Sequence, residues 1–170
     1  MIVIVKGKGK SGKTASLKKL IQRLLNDPRF RLYDACRNFA ANMAIPYRDV
    51  WAKFCYGGVH ILISTFGDSE NGVQDTIDRH GSDCDIIICA GHPNHQIFAC
   101  INGRKRELVE IDKIVLSFDD ARDETEKQRV DAACDAANQE FADSLFDRLL
   151  SEAEKKRQEM SSLFSQTVVL

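Results

Sequence analysis

The apolar run Ile2-Val3-Ile4-Val5 leads almost directly into Gly7-Lys8-Gly9-Lys10-Ser11-Gly12-Lys13-Thr14, and no other stretch of the chain restricts its fold as strongly. A short unbroken apolar run bounded by glycine is the pattern of a strand buried on both faces. From Lys13 the period changes. Leu17, Leu20, Ile21, Leu24 and Leu25 fall on one helical face, with Lys18, Lys19, Gln22 and Arg23 on the other. Between strand and helix, positive charge and glycine are crowded into one turn. Either a nucleic-acid patch or a phosphate cradle would account for that crowding, and the spacing decides for the cradle.

Gly7 to Thr14 fits G-x-x-x-x-G-K-[ST] at every fixed position, with a strand before it and a helix after it. The stretch resembles the Walker A motif of P-loop nucleoside triphosphatases and kinases. The resemblance implies a triphosphate held by Gly7, Lys8, Gly9, Lys10, Ser11, Gly12, Lys13, Thr14 and Ala15. Glycines let successive backbone N–H groups face a phosphate, and the helix N-terminus adds partial positive charge. Lys13 would reach the β- and γ-phosphates as a catalytic group, and the Thr14 hydroxyl would bind Mg²⁺. ATP and Mg²⁺ are the expected cofactors. The N/T-K-x-D stretch that confers guanine specificity on GTPases is missing, since Ala90-Gly91-His92-Pro93 stands in its place.

Asn26-Asp27-Pro28 stops the first helix, a short strand is expected around Phe30 to Tyr33, and a short helix before Pro46. Two β-rich runs flank Gly57-Gly58 and read as a hairpin. Asn71 to His80 reads as a helix stopped by Gly81, and Ile86-Ile87-Ile88 as a strand. Pro93 to Ile101 fits a helix closed by Asn102-Gly103, or a strand turning at that pair. The helix is preferred, because an α/β sheet calls for a crossover there. From Asp119 the chain turns helical. Asp119, Asp120, Asp123 and Glu124 suit a helix start, and Val130, Cys134, Ala137, Phe141, Leu145 and Leu149 form an apolar stripe. The expected fold is α/β: a mainly parallel P-loop sheet flanked by helices, with one hairpin and a long C-terminal helix. Residues 1–150 form the nucleotide-binding domain and 151–170 a polar helical tail.

Such a site needs an acid near the Mg²⁺. Asp68, after the apolar run ending in Gly67, is the expected catalytic and metal-binding carboxylate. Asp85 stands at the start of its strand, at the wrong end of a parallel sheet. Asp34, after the second strand, is the candidate catalytic acid toward an acceptor, and Arg37 the candidate holder of an acceptor phosphate. Arg104, Lys105 and Arg106 could form a basic lid, a small nucleic-acid contact or simply a solvated turn. From Met1 to Gly91 the arrangement is similar to small kinase-like P-loop proteins of bacterial and phage type. There a Thr-Arg pair often follows the Cys-Ala of the later strand, where this chain has Gly91-His92.

These observations imply an ATP-dependent phosphotransferase with a small acceptor such as a nucleoside or nucleotide. The alternative is a slow ATPase or nucleotide-gated module that controls a protein partner. The 24 Lys and Arg nearly cancel the 25 Asp and Glu of this 170-residue chain, so no global basic field recruits nucleic acid. No apolar run approaches the roughly 18 residues of a membrane span. No charged segment precedes the strand at Ile2, so no secretory signal is expected. The six cysteines contain no C-x-x-C pair and fit reduced thiols in the cytoplasm. A zinc set of Cys89, His92, His95 and Cys100 matches no familiar spacing, and core cysteines with loop histidines are the better reading. The C-terminal helix is the candidate surface for a homo-oligomer or a protein partner.

Overall fold

The computed structural model describes residues 1–67, 69–94, 100–101, 104–113 and 124–167. In chain order the elements are β1 (Ile2–Lys6), α1 (Lys13–Asn26), β2 (Arg31–Ala35), α2 (Phe39–Ala44), β3 (Trp51–Tyr56) and β4 (Val59–Ser64). They continue with α3 (Glu70–His80), β5 (Ile86–Gly91), β6 (Cys100–Ile101), β7 (Arg104–Lys105), β8 (Leu108–Asp112) and α4 (Glu124–Thr167). Six strands form one sheet in the order β2-β3-β4-β5-β1-β8, and β6 pairs with β7 in a separate ribbon. The β4–β5, β5–β1 and β1–β8 pairs are parallel, whereas β2–β3 and β3–β4 are antiparallel. The α/β fold is therefore a mixed sheet whose antiparallel part is confined to one side.

Helices on both faces explain why β1 and β5 are apolar at consecutive positions. Val3, Val5, Ile61, Ile63, Ile86 and Ile88 pack toward Leu17, Leu20, Ile21 and Leu24 of α1 and Ala142, Leu145, Phe146 and Leu149 of α4. Ile2, Ile4, Leu62, Ile87 and Cys89 pack toward Val73 and Ile77 of α3. Local chemistry sets the boundaries. Gly57 (φ 54°) and Gly58 (φ 91°) supply the two left-handed residues of a tight hairpin turn between β3 and β4. The Ser69 hydroxyl accepts from the Gly72 N–H at 3.1 Å and caps α3.

α4 is 44 residues long, about 66 Å at the rise of an α-helix. The five- and six-residue strands beneath it span only about 20 Å. It runs beside α1 in the same direction, since Ser16 meets Asn138 and Arg23 meets Asp143 and Asp147. The helix continues unbroken past Leu150. Ala153 is fully buried, and the Tyr56 hydroxyl donates to Glu154 at 3.2 Å. No helix among the described residues is long and apolar enough to cross a membrane.

Two expectations change. The second strand spans Arg31–Ala35, so Asp34 lies inside it. The helix preferred for Pro93 to Ile101 gives way at its end to a strand. Cys100 and Ile101 pair with Lys105 and Arg104 as two antiparallel strands, while Asn102-Gly103 lies outside the described residues. Residues 95–99 lie outside the described residues, as do Asp119, Asp120 and Asp123.

Leu20 is fully buried where α1 meets the sheet and α4. Leu20→Ala is expected to lower the unfolding free energy by about 2–5 kcal/mol at unchanged denaturant slope. A urea titration checks this, and a loss below about 1 kcal/mol would show that the seam is not packed as described.

Candidate functional site

Register fixes which end of the sheet can carry a shared site. Lys6 pairs with Gly91 of β5 and Asp112 of β8, and Ser64 of β4 lies level with Cys89. The C-terminal ends of β1, β4, β5 and β8 thus open on one edge, where parallel sheets place ligands. The turn between β1 and α1 crosses that edge. Gly7 N–H still donates to Gly91 O at 3.3 Å, after which the chain leaves the sheet.

Lys10 (φ 61°) and Gly12 (φ 78°) are both left-handed, with Ser11 between them. Alternating handedness turns successive N–H groups into one concavity, the geometry of an anion nest. α1 starts directly on it. Its N-cap Gly12 offers no side-chain cap and its first turn holds no acid, so the helix end keeps its donors and its partial positive charge. Lys13 Nζ donates to Gly7 O at 2.6 Å and Lys8 O at 2.9 Å, which sets an ammonium across the turn. A Cβ on Gly7 would stand 2.5 Å from Ser11 Oγ, so a side chain there would push that hydroxyl aside.

Gly9, Lys10, Ser11, Gly12, Lys13, Thr14 and Ala15 line a cleft of about 240 Å³, closed on its other sides by Pro46, Thr65, Gly67 and Ala90. The Thr65 hydroxyl donates to Asp49 Oδ1 at 2.8 Å and accepts from Val50 N–H at 2.9 Å. A Cβ on Gly67 would come within 2.6 Å of the Ala90 Cβ, so this wall closes only with glycine. Pro46 is positioned from α1: Lys18, nearly buried, donates to Asn42 O at 2.8 Å and Ile45 O at 2.5 Å, holding the end of α2. Burial lowers the pKa of that ammonium, against the opposing charge of Asp49.

The structure brings Gly7 through Ala15 together. Asp68 lies outside the described residues, between Gly67 and Ser69. Asp34 is not brought to the turn. It pairs with Lys53, which lies level with Leu62, Ile87 and Ile2, at the opposite end of the sheet. The reason is topological: β3 and β4 form a hairpin, and β2 adds outside it as an edge strand four places from β1. Arg37 is exposed and does not line the cleft. Arg106 cannot act as a lid, because its guanidinium donates to Cys84 O and Ser82 O beyond the N-terminal end of β5. Asp85 is also at that end and accepts from His60 N–H at 2.8 Å. A larger hollow there, about 330 Å³, interleaves Asp85, Glu107, Glu152 and Glu159 with Arg106, Lys155 and Lys156, so it offers an anion no net field. Of the zinc set, Cys89 is buried and burial pushes its thiol up to about 12, while His95 lies outside the described residues.

Two residues that the motif does not name stand behind the turn. Lys113 follows β8, is 7% exposed, and donates from Nζ to Ser16 Oγ at 2.6 Å and Asn138 Oδ1 at 2.5 Å. Asn138 touches Gly12, where a Cβ would stand 2.3 Å from its Oδ1. Its signal in the sequence is a polar residue bordering the apolar stripe of α4, one turn after Cys134 and before Phe141. Set against family models, curated proteins and solved structures, the chain matches none.

Burial pushes the Lys113 ammonium down from its ordinary 10.5 to about 8. The folded protein therefore holds this proton less tightly than the unfolded chain. Its cost to stability is full below about pH 8 and is released as pH rises toward 10.5. The stability of the wild type relative to Lys113→Met is expected to rise across that window in parallel denaturant titrations. A pH-independent difference would show that Lys113 titrates normally.

Proposed function

We propose that the chain binds a nucleoside triphosphate as its Mg²⁺ complex, ATP first, with the phosphate chain in the turn from Gly7 to Thr14. The observation that carries this reading is the turn itself: a nest of backbone donors, an uncapped helix start and the Lys13 ammonium converge on one cleft. It supports assigning the sheet to the P-loop class, with β1 as the strand that delivers the loop. The cleft, at about 240 Å³, lies below the roughly 300–1,000 Å³ of pockets that enclose a whole small molecule. It suits the phosphates, with the base at its mouth. Thr14 is the Mg²⁺ ligand in this reading, with Asp68 as the carboxylate beside it. Cleavage of the γ-phosphate would then rest on positioning and on charge neutralisation by Lys13, Mg²⁺ and the loop amides.

Between the two uses of such a site, the position of Asp34 favours a slow ATPase or nucleotide-gated module over a nucleoside or nucleotide kinase. A kinase needs an acceptor base near the γ-phosphate, and Asp49, behind the cleft wall, already accepts from the Thr65 hydroxyl. α4, which lies against the loop through Asn138, is the element through which a protein partner would sense the bound state.

Mg-ATP at about a hundred times its Kd should stabilise the wild type by about 2.7 kcal/mol, and Lys13→Ala should remove that gain without unfolding the protein. Equal stabilisation of the variant would refute the assignment of the loop. Label followed from the γ-phosphate of Mg-ATP, with and without a pool of nucleosides and nucleotides, separates the two uses. Slow release as phosphate, indifferent to the pool, supports the gated module. Label on a pool member identifies a kinase and its substrate class.

A further inference from the structure

Lys113 lies at the meeting point of three elements. Its N–H donates to Lys6 O at 2.7 Å, which extends the β1–β8 pairing by one step. Its carbonyl oxygen is 3.5 Å from where a Gly7 Cβ would stand. Its side chain then runs beneath the turn to Ser16 and Asn138, and the ammonium lies 4.9 Å from the centre of the Phe141 ring. The Ser16 hydroxyl donates to the same Asn138 Oδ1 at 3.2 Å. One amide oxygen on α4 therefore receives the lysine that follows β8 and the serine of the first turn of α1, while pressed against the last glycine of the loop. A buried ammonium is expensive to desolvate, and an apolar side chain would fill this place at lower cost.

We infer that Lys113 and Asn138 are positioning residues of the loop, and that through them occupancy of the loop and docking of the first part of α4 form a single equilibrium. The inference rests on the reading of the loop as a triphosphate site. Gly12 cannot shift without displacing Asn138, because no gap separates them. Among the described residues upstream of Asn138, few side chains of the helix are buried. Glu124 to Asp135 are exposed except for the half-buried Val130 and Cys134, and the Lys19–Asp135 ion pair at 2.8 Å is largely solvated on its acidic side. Segments with few buried contacts open at low free energy, so the hydrogen bonds at Asn138 bear directly on whether this one is docked. Coupling of this kind is reciprocal: whatever fixes the loop fixes the helix, and loosening the helix weakens binding at the loop.

Hydrogen–deuterium exchange with saturating Mg-ATP tests this on the full chain. In the wild type, the ligand should slow exchange across both the loop, 7–14, and the helix segment, 130–141, the latter by about fivefold or more. In Lys113→Met and in Asn138→Ala, the loop should remain protected while protection of 130–141 is lost. If Lys113→Met fails to fold, Ser16→Ala removes one of the two acceptors and should reduce the helix effect. Wild-type protection confined to the loop, or helix protection that survives both substitutions, would overturn the inference and leave the loop assignment standing. Absence of loop protection in every protein would overturn both.

Discussion

β1 lies between β5 and β8 with Ile2, Ile4 and Val5 excluded from water, so neither its faces nor its edges are free to move. A strand fixed on four sides determines the point in space at which the following turn begins. Lys6 is the last residue paired on both sides, and the turn must reach α1 within the six residues 7–12. Within that short span Lys10 and Gly12 adopt left-handed backbone, which turns N–H groups into a concavity. The concave shape of the turn is thus tied to core packing, since the same burial that fixes β1 fixes where the turn begins.

The same packing explains which parts of the molecule can be read from sequence. The β1–turn–α1 unit, the Gly57-Gly58 hairpin, α3 and β5 are legible because each is encoded within a window of a dozen residues by period and turn chemistry. Strand order is not local. Nothing near Asp34 states that β2 will add outside a hairpin, and an acid expected beside the phosphates lies level with Ile2 instead. The stretch ending at Ile101 fails for a different reason. A short apolar run before Asn-Gly fits either a helix end or a hairpin arm, and the ribbon formed with Arg104–Lys105 decides it. Lys113 and Asn138 are the least legible of all, because their partner Ser16 is 97 and 122 residues away.

Along α4 two kinds of contact hold the helix in different regions. Ala142, Leu145, Phe146 and Leu149 are buried against α1 and the sheet, and burial of such side chains contributes about 1.5–3 kcal/mol each for the larger ones. Arg23 adds its guanidinium over the Phe146 ring at 4.0 Å, an ion pair with Asp143 and a longer one to Asp147 at 3.8 Å. These ion pairs are substantially exposed and contribute little beside the apolar seam. Toward the loop the apolar contribution fades and polar contacts take over, ending at Asn138. The middle of the helix is therefore an anchor, and its loop-facing part is held by bonds that depend on the loop.

That gradient bears on why a lysine occupies position 113. An apolar residue there would pack well but could not bond simultaneously to a serine on α1 and an asparagine on α4. The hydrophobic effect is nondirectional, and it would tolerate small displacements of either helix. Hydrogen bonds from a buried ammonium are directional and costly to leave unmade, so they tolerate few. Loss of stability at this one site is exchanged for a defined distance between the loop and α4. In a protein whose proposed task is to register a bound triphosphate, a defined distance at that point is worth more than additional packing.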